Sequence, residues 1–150
     1  MKQKKKITDF FKVFRPEHRS HTKANMYEES VQAGFPSPAE DYLEGTLDLN
    51  ELFIHRPSST YIVRVAGDSM IEAGIYEGDL LVVDRSLDPK NNDIVIAELD
   101  GEFTVKRFVR KDDKTIVLEP ANLNYQPIIV TPEHELVIWG VVVGVLRKLR

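Results

Sequence analysis

Residues 93–109 read DIVIAELDGEFTVKRFV, two runs rich in apolar and β-branched residues on either side of an Asp-Gly pair. Asp100-Gly101 is a strong signal for a two-residue hairpin, because a type I′ turn needs positive φ at both central positions. Short runs of the same kind, separated by turn signals, recur from Tyr61 onward. They are Tyr61–Val65, Asp79–Asp84, Thr115–Glu119, Ile128–Val130 and Leu136–Leu146. The pattern predicts a compact, strongly twisted domain that is mainly β.

The first 33 residues differ in composition from the rest of the chain. They carry eight Lys and Arg against four Asp and Glu, a net charge of +4, whereas residues 34–150 carry twelve against twenty, a net of −8. One apolar cluster at helical spacing predicts a short helix here, formed by Ile7, Phe10, Phe11 and Phe14. This cluster is too small for a core, so residues 1–33 are predicted to form an extended, partly disordered arm. A second short helix is predicted over Tyr42–Phe53.

Composition argues against several classes of protein. The chain has no cysteine, which excludes disulfides and thiolate metal sites, and His18 and His21 alone do not predict a metal site. No apolar run reaches the roughly 20 residues of a membrane span, and Asp9 and Lys12 interrupt the stretch that a signal peptide would need. We therefore expect a cytoplasmic protein without a cofactor or metal. The acidic body disfavours direct binding to the phosphate backbone of nucleic acid, and we expect no sequence-specific DNA binding.

A serine and a lysine predict the chemistry. Ser69 lies in a Gly-Asp-Ser-Met turn, and Lys106 follows 37 residues later on the second strand of the predicted hairpin. A serine hydroxyl is a poor nucleophile unless a base removes its proton. Lysine can be that base only if burial lowers its pKa of about 10.4 by several units. Strand alternation places Thr104, Lys106 and Phe108 on one face. The Phe108 ring on that face would help to shield the amine of Lys106 from water.

Both residues also have an ordinary structural interpretation. A serine in such a turn is usually only a turn residue, and a lysine on a strand is usually a solvated edge residue. The catalytic interpretation is favoured because an extended segment with a small-small bond, Ala33-Gly34, lies upstream. That bond fits a narrow cleft, although a flexible linker would have the same composition. If the site is catalytic, the backbone N–H groups of Ser69 and Asp68 are predicted to form its oxyanion hole.

These motifs resemble the LexA/UmuD family of self-cleaving Ser/Lys peptidases, the S24 type. The resemblance covers about residues 30–150. It rests on Ala33–Tyr42, Asp48–Asn50, Gly67–Met70, Gly74–Ile75, Gly78–Asp84, Asp93–Ala97 and Asp100–Lys106. It implies a LexA/UmuD-like β domain in which Ser69 is the nucleophile, Lys106 the general base and Ala33–Gly34 the cleaved bond. Residues 1–33 would then be the arm removed by self-cleavage, and residues 34–150 the peptidase and dimerisation domain.

The resemblance also implies partners. They are a second copy of the chain, in a homodimer, and the RecA–single-stranded-DNA filament, which would stimulate cleavage in the SOS response to DNA damage. The shortened product would join a UmuC-like subunit to form an error-prone translesion DNA polymerase. In the arm, Ile7, Phe10 and Phe11 resemble the end of a sliding-clamp-binding peptide, although docking of the arm onto its own domain is the favoured interpretation.

Two other functions stay open at this level. A LexA-like repressor is disfavoured, because 33 residues with one short apolar stripe are too few for a helix-turn-helix domain ahead of Ala33. A non-proteolytic, dimeric accessory protein would have the same motifs if Ser69 and Lys106 did not meet. Substitution of either residue would separate this alternative from a peptidase.

Overall fold

The structure, a computed structural model, describes residues 13–14, 23–27 and 43–150. These residues belong to two compact units, one with residues 13–14 and 56–150, the other with residues 23–27 and 43–55. The Ala33–Gly34 bond and the clamp-like residues Ile7, Phe10 and Phe11 lie outside the described residues, as do His18 and His21. The division into an arm and a domain at residue 33 therefore stays a prediction.

Strands dominate the described residues, which confirms the mainly β class. In chain order the elements are β1 (Val13–Phe14), β2 (Lys23–Tyr27), β3 (Leu43–Asp48), α1 (Leu49–Phe53), β4 (Thr60–Arg64), a 3-10 turn (Ile71–Ala73), β5 (Leu80–Asp84), β6 (Ile94–Leu99), β7 (Glu102–Arg110), β8 (Ile116–Glu119), β9 (Ile128–Val130) and β10 (Leu136–Leu146). In the larger unit, the described strands form an eight-stranded sheet in the order β1-β4-β5-β10-β6-β7-β8-β9. Neighbouring strands are antiparallel throughout.

The Asp-Gly hairpin joins β6 to β7, as predicted. Asp100 has a φ of 52° and Gly101 a φ of 83°, and both are positive as a type I′ turn requires. The register pairs Leu99 with Glu102 and Val95 with Lys106. This register determines which face of the sheet each side chain of β7 occupies, because a slip of one residue would exchange the faces.

Hydrophobic clusters cover both faces of the sheet. Along β6, Ile96 belongs to one cluster, whereas Val95 and Ala97 belong to the other. This division follows from the two-residue period of a strand. The first cluster is the larger, and its buried members are Val63, Val65, Met70, Ile75, Leu81, Val83, Ile96, Val105, Ala121 and Trp139.

The smaller unit contains β2, β3 and α1. The strands pair antiparallel, and the Asp48 side chain caps the helix by accepting a hydrogen bond from the N–H of Asn50 at 2.8 Å. The helix predicted over Tyr42–Phe53 is therefore correct only for its second half, because Leu43–Asp48 form a strand. The helices in the described part of the chain are too short and too polar to span a membrane.

The helix predicted from Ile7 to Phe14 is wrong at its end. Val13 and Phe14 form β1, which pairs with Val63 and Ile62 of β4. A helical pattern of apolar residues describes local preference only, and here pairing with a distant strand overrides it.

Candidate active site

Ser69 lies on the loop of residues 65–79, between β4 and β5. Backbone hydrogen bonds close the base of this loop, since the N–H of Val65 donates to the carbonyl of Asp79 at 2.9 Å and the N–H of Gly78 donates to that of Val65 at 3.0 Å. Within the loop, Met70 and Ile75 are 2% and 1% exposed and pack in the first cluster. The residue that follows Ser69 is thus fixed in the core, and Ser69 itself is half-buried.

The structure brings Ser69 and Lys106 together. The Oγ of Ser69 lies 2.9 Å from the Nζ of Lys106. The same amine lies 2.7 Å from the Oγ1 of Thr104 and 3.0 Å from the carbonyl oxygen of Val105. Thr104 and Lys106 share one face of β7, as strand alternation predicts, and Phe108 on that face is buried in the second cluster.

Burial favours the neutral form of this lysine. Lys106 is 6% exposed, and desolvation lowers the pKa of its amine below the ordinary value because the ammonium form loses its hydration. In the described residues, no carboxylate lies within ion-pair distance to restore the charge, and the three contacts of the amine are uncharged oxygens. These surroundings therefore favour the uncharged amine, which is the form that can accept a proton.

The hydrogen-bond geometry also directs the lone pair of the neutral amine. A neutral amine has two N–H donors and one lone pair, and the carbonyl of Val105 can only accept. If the two donors bond to Val105 and to the hydroxyl of Thr104, the lone pair faces the Ser69 hydroxyl. The hydrogen bond between Ser69 and Lys106 then runs from the oxygen to the nitrogen, which is the direction of proton transfer in general-base catalysis.

A narrow cleft lies beside the serine. Its volume is about 80 Å³, and its lining residues are Val65, Ala66, Gly67, Ser69, Met70, Phe103, Thr104 and Val105. The backbone N–H groups of Asp68 and Ser69, predicted to form an oxyanion hole, donate to no acceptor among the described residues. Unsatisfied N–H groups beside a nucleophile are available to a carbonyl oxygen of a substrate.

A second group of residues at this site is not predicted by the sequence. The segment 121–125, between β8 and β9, holds the serine loop from the side. The N–H of Ala121 donates to the carbonyl of Ser69 at 2.8 Å, and the Nδ2 of Asn122 donates to the carbonyl of Asp68 at 2.9 Å. The hydroxyl of Tyr125 donates to the Oδ1 of Asp68 at 2.5 Å. These residues are more than 50 positions from the serine in sequence, so no local pattern connects them to it.

The fold and the site together describe an antiparallel β domain in which a buried lysine lies within hydrogen-bond distance of a loop serine. Residues 25–143 match the family described as Peptidase S24-like. The chain belongs to this family.

Individual relatives agree with the family assignment. Protein SamA of Salmonella typhimurium is 51% identical over 127 residues, which cover 85% of this chain and 87% of the relative. Protein ImpA of Escherichia coli is 47% identical over 125 residues, 83% of this chain and 84% of the relative. LexA repressor 1 of Geobacter sulfurreducens is 44% identical over 120 residues, 79% of this chain but 58% of the longer relative.

Proposed function

We propose that the protein is a self-cleaving serine peptidase that cuts its own Ala33–Gly34 bond. The observation that carries this proposal is the 2.9 Å contact between Ser69 and a lysine that is 6% exposed and surrounded by neutral oxygens. A lysine whose role was structural would be expected at the surface or beside a carboxylate. Membership of the S24 family supports the same chemistry.

The reaction would proceed in two steps. Neutral Lys106 takes the proton of the Ser69 hydroxyl while Oγ bonds to the carbonyl carbon of Ala33, and the carbonyl electrons move to oxygen. The N–H groups of Ser69 and Asp68 stabilise this oxyanion. When it collapses, the bond to the Gly34 nitrogen breaks, and the Lys106 ammonium returns its proton to that nitrogen. A water molecule, deprotonated by the same amine, then attacks the Ser69 ester, and the amine passes that proton to Oγ as the bond from the carbonyl carbon to Oγ breaks.

Self-cleavage is tested by the mass of the purified chain over time. We expect a product of 117 residues, the 150 of the chain less the 33 of the arm. Its rate should increase with pH until Lys106 is neutral and then level off. Ser69→Ala and Lys106→Ala should abolish the product, whereas the exposed controls Ser58→Ala and Lys114→Ala should cleave normally. A chain that stays intact at every pH, with and without the partners below, would contradict the proposal.

The cellular role is proposed from the resemblance to the LexA/UmuD family. We propose that the RecA–single-stranded-DNA filament stimulates cleavage after DNA damage. The shortened chain, as a homodimer in the cytoplasm, would then serve a UmuC-like polymerase subunit in error-prone translesion synthesis. Faster cleavage with RecA, single-stranded DNA and a nucleoside triphosphate together, but not with any one omitted, is the expected result. Equal rates in all these mixtures would argue for a peptidase outside the SOS response.

A further inference from the structure

The peptide groups on both sides of Ser69 are held by one segment. The carbonyl of Asp68, in the peptide bond before Ser69, accepts from the Nδ2 of Asn122 at 2.9 Å. The carbonyl of Ser69, in the bond after it, accepts from the N–H of Ala121 at 2.8 Å. Two bonds from adjacent residues therefore fix the orientation of both peptide planes around the nucleophile.

Fixing a carbonyl also fixes the N–H of the same peptide group. The described residues contain no cis peptide bond, and in a trans peptide the C=O and N–H point in opposite directions. Because the carbonyl of Asp68 points to Asn122, the N–H of Ser69 points away from it. The residues that line the cleft, at positions 65–67, 69–70 and 103–105, include Ser69 but not Asn122. The N–H of Ser69 thus points away from a residue that lies outside the cleft lining.

Asn122 is well suited to hold this orientation. It is 5% exposed, and its Oδ1 accepts from the N–H of Asn124 at 2.9 Å. Since one end of the amide needs a donor and the other an acceptor, these two partners fix which end faces Asp68. Among the described residues, the carbonyl of Asp68 has one other donor, the N–H of Ile71, but at 3.4 Å this bond is long and weak.

Tyr125 holds Asp68 as well, through the carboxylate of the Asp68 side chain. Its hydroxyl donates to the Oδ1 of Asp68 at 2.5 Å. Hydrogen bonds to a charged acceptor are stronger than neutral ones, and this bond also raises the pKa of the Tyr125 hydroxyl. Asp68 is consequently held at its backbone by Asn122 and at its carboxylate by Tyr125.

We propose that Asn122, assisted by Tyr125, is a positioning residue of the oxyanion hole, which orients the N–H of Ser69 toward the carbonyl of the scissile bond. The inference rests on the proposed peptidase function, because an oxyanion forms only if Ser69 attacks a carbonyl. The hydrogen bonds of the Asn122 side chain to described residues involve Asp68 and Asn124, not Lys106 or the Ser69 hydroxyl. Its loss should therefore slow the chemical step without changing the pH at which the base becomes neutral.

The test compares self-cleavage of full-length variants across pH. Asn122→Asp has nearly the same shape and keeps the acceptor for Asn124, but it replaces the donor to Asp68 by an oxygen. Asn122→Asp and Asn122→Ala should lower the limiting rate about 10- to 100-fold, somewhat less than the loss of a whole oxyanion donor. The pH midpoint should stay at the wild-type value. The control Asn124→Ala keeps the backbone N–H and should cleave within about twofold of wild type.

Tyr125→Phe provides a second variant that preserves folding, because the ring stays and Tyr125 is 44% exposed. It should slow cleavage about threefold, as expected for one hydrogen bond at an exposed site. Tyr76→Phe is the matched control, since Tyr76 is similarly exposed and its hydroxyl makes no hydrogen bond to a described residue. Thermal unfolding of each variant, with rates measured well below its midpoint, separates positioning from loss of fold.

The outcomes distinguish this inference from the proposed function. If wild type cleaves and both Asn122 variants reach its limiting rate, Asn122 is not a positioning residue, although the peptidase proposal stands. A pH midpoint that moves together with the rate would also overturn the inference, because Asn122 would then act through Lys106. If wild type itself never cleaves, the peptidase proposal fails, and the role of Asn122 fails with it.

Discussion

The loop of residues 65–79 lies against a buried ionisable group near its start, Lys106 of β7, and contains one at its end, Asp79, and the surroundings of these two groups have opposite effects on charge. Near its start, Ser69 meets Lys106, whose amine contacts three uncharged oxygens. At its end, Asp79 meets Arg147, whose Nε and Nη2 donate to the two carboxylate oxygens at 2.6 Å each. The first region contains a buried amine with no carboxylate partner among the described residues, and the second contains a complete ion pair.

The second region has the features of a structural contact. Asp79 is 3% exposed, and hydrogen bonding from Arg147 lowers the pKa of its carboxyl despite the opposing effect of burial. The guanidinium also donates to the carbonyl of Gly74 at 2.9 Å and lies 4.4 Å from the centre of the Tyr76 ring. Arg147, which directly follows β10, thereby connects the end of that strand to the loop residues that follow the 3-10 turn.

The two regions show that burial can either preserve a charge or disfavour it, depending on the neighbouring groups. Burial next to an opposite charge keeps both groups ionised, so the Asp79–Arg147 pair holds the loop in position. Burial among neutral acceptors lowers the pKa of Lys106, which favours the neutral amine that a general base requires. Substitutions of Lys106, Thr104 and Arg147 test how much each region depends on its neighbouring groups.

Lys106→Arg should have the largest effect. It keeps a long cationic side chain, but a guanidinium stays charged in proteins and cannot accept a proton. Cleavage should fall by about a thousandfold or more, the range expected for loss of a general base. Product mass after long incubation measures this. Cleavage near the wild-type rate would show that the neutral amine is not required.

Thr104→Val should have an intermediate effect. It removes the hydroxyl that accepts from Lys106 while preserving the shape of the side chain. The limiting rate should fall about tenfold, because one contact that directs the amine is lost. The pH midpoint should move lower, since the ammonium form loses an acceptor. Thr104→Ser, which keeps the hydroxyl, is the control, and an equal defect in both variants would contradict this role.

Arg147→Met should have the smallest effect on cleavage, within about threefold, because it lies outside the catalytic contacts. It should lower the midpoint of thermal unfolding by a few degrees. The folded-state pKa of Asp79 is depressed, so its stabilisation is present above the ordinary value of 3.8 and is lost as pH falls through the folded value. The difference in midpoint between wild type and variant should therefore shrink in acid.

Lys148→Met is the matched control, since it removes an exposed positive charge at the next position. Its unfolding midpoint should follow that of wild type at every pH. If Lys148→Met and Arg147→Met gave the same pH-dependent loss, net charge and not the Asp79 contact would be responsible.

The sequence predicted the parts that depend on local order. Asp100-Gly101 determines the hairpin, the hairpin determines the register, and the register brings Thr104 and Lys106 to one face. Ser69 is recognisable because its Gly-Asp-Ser-Met turn lies within four consecutive residues. These features need no knowledge of distant contacts.

The parts that could not be predicted depend on pairing between distant segments. Leu43–Asp48 form a strand, and not the predicted helix, because they pair with β2. Phe14 likewise pairs with β4, although its spacing from the other apolar residues predicts a helix. Asn122 and Tyr125 reach Asp68 across 54 and 57 residues. An Asn-x-x-Tyr segment after a strand has the composition of an ordinary turn. Its hydrogen bonds to Asp68 are visible only in the folded chain.

The most direct measurement is the titration of the Lys106 side chain by NMR, in a Ser69→Ala variant that stays intact, with the signal assigned by its loss in Lys106→Arg. A neutral, buried amine predicts a pKa clearly below the ordinary 10.5. The resonance should titrate near the pH midpoint of wild-type self-cleavage. A lysine that titrates at or above 10.5 would contradict a general base at this position.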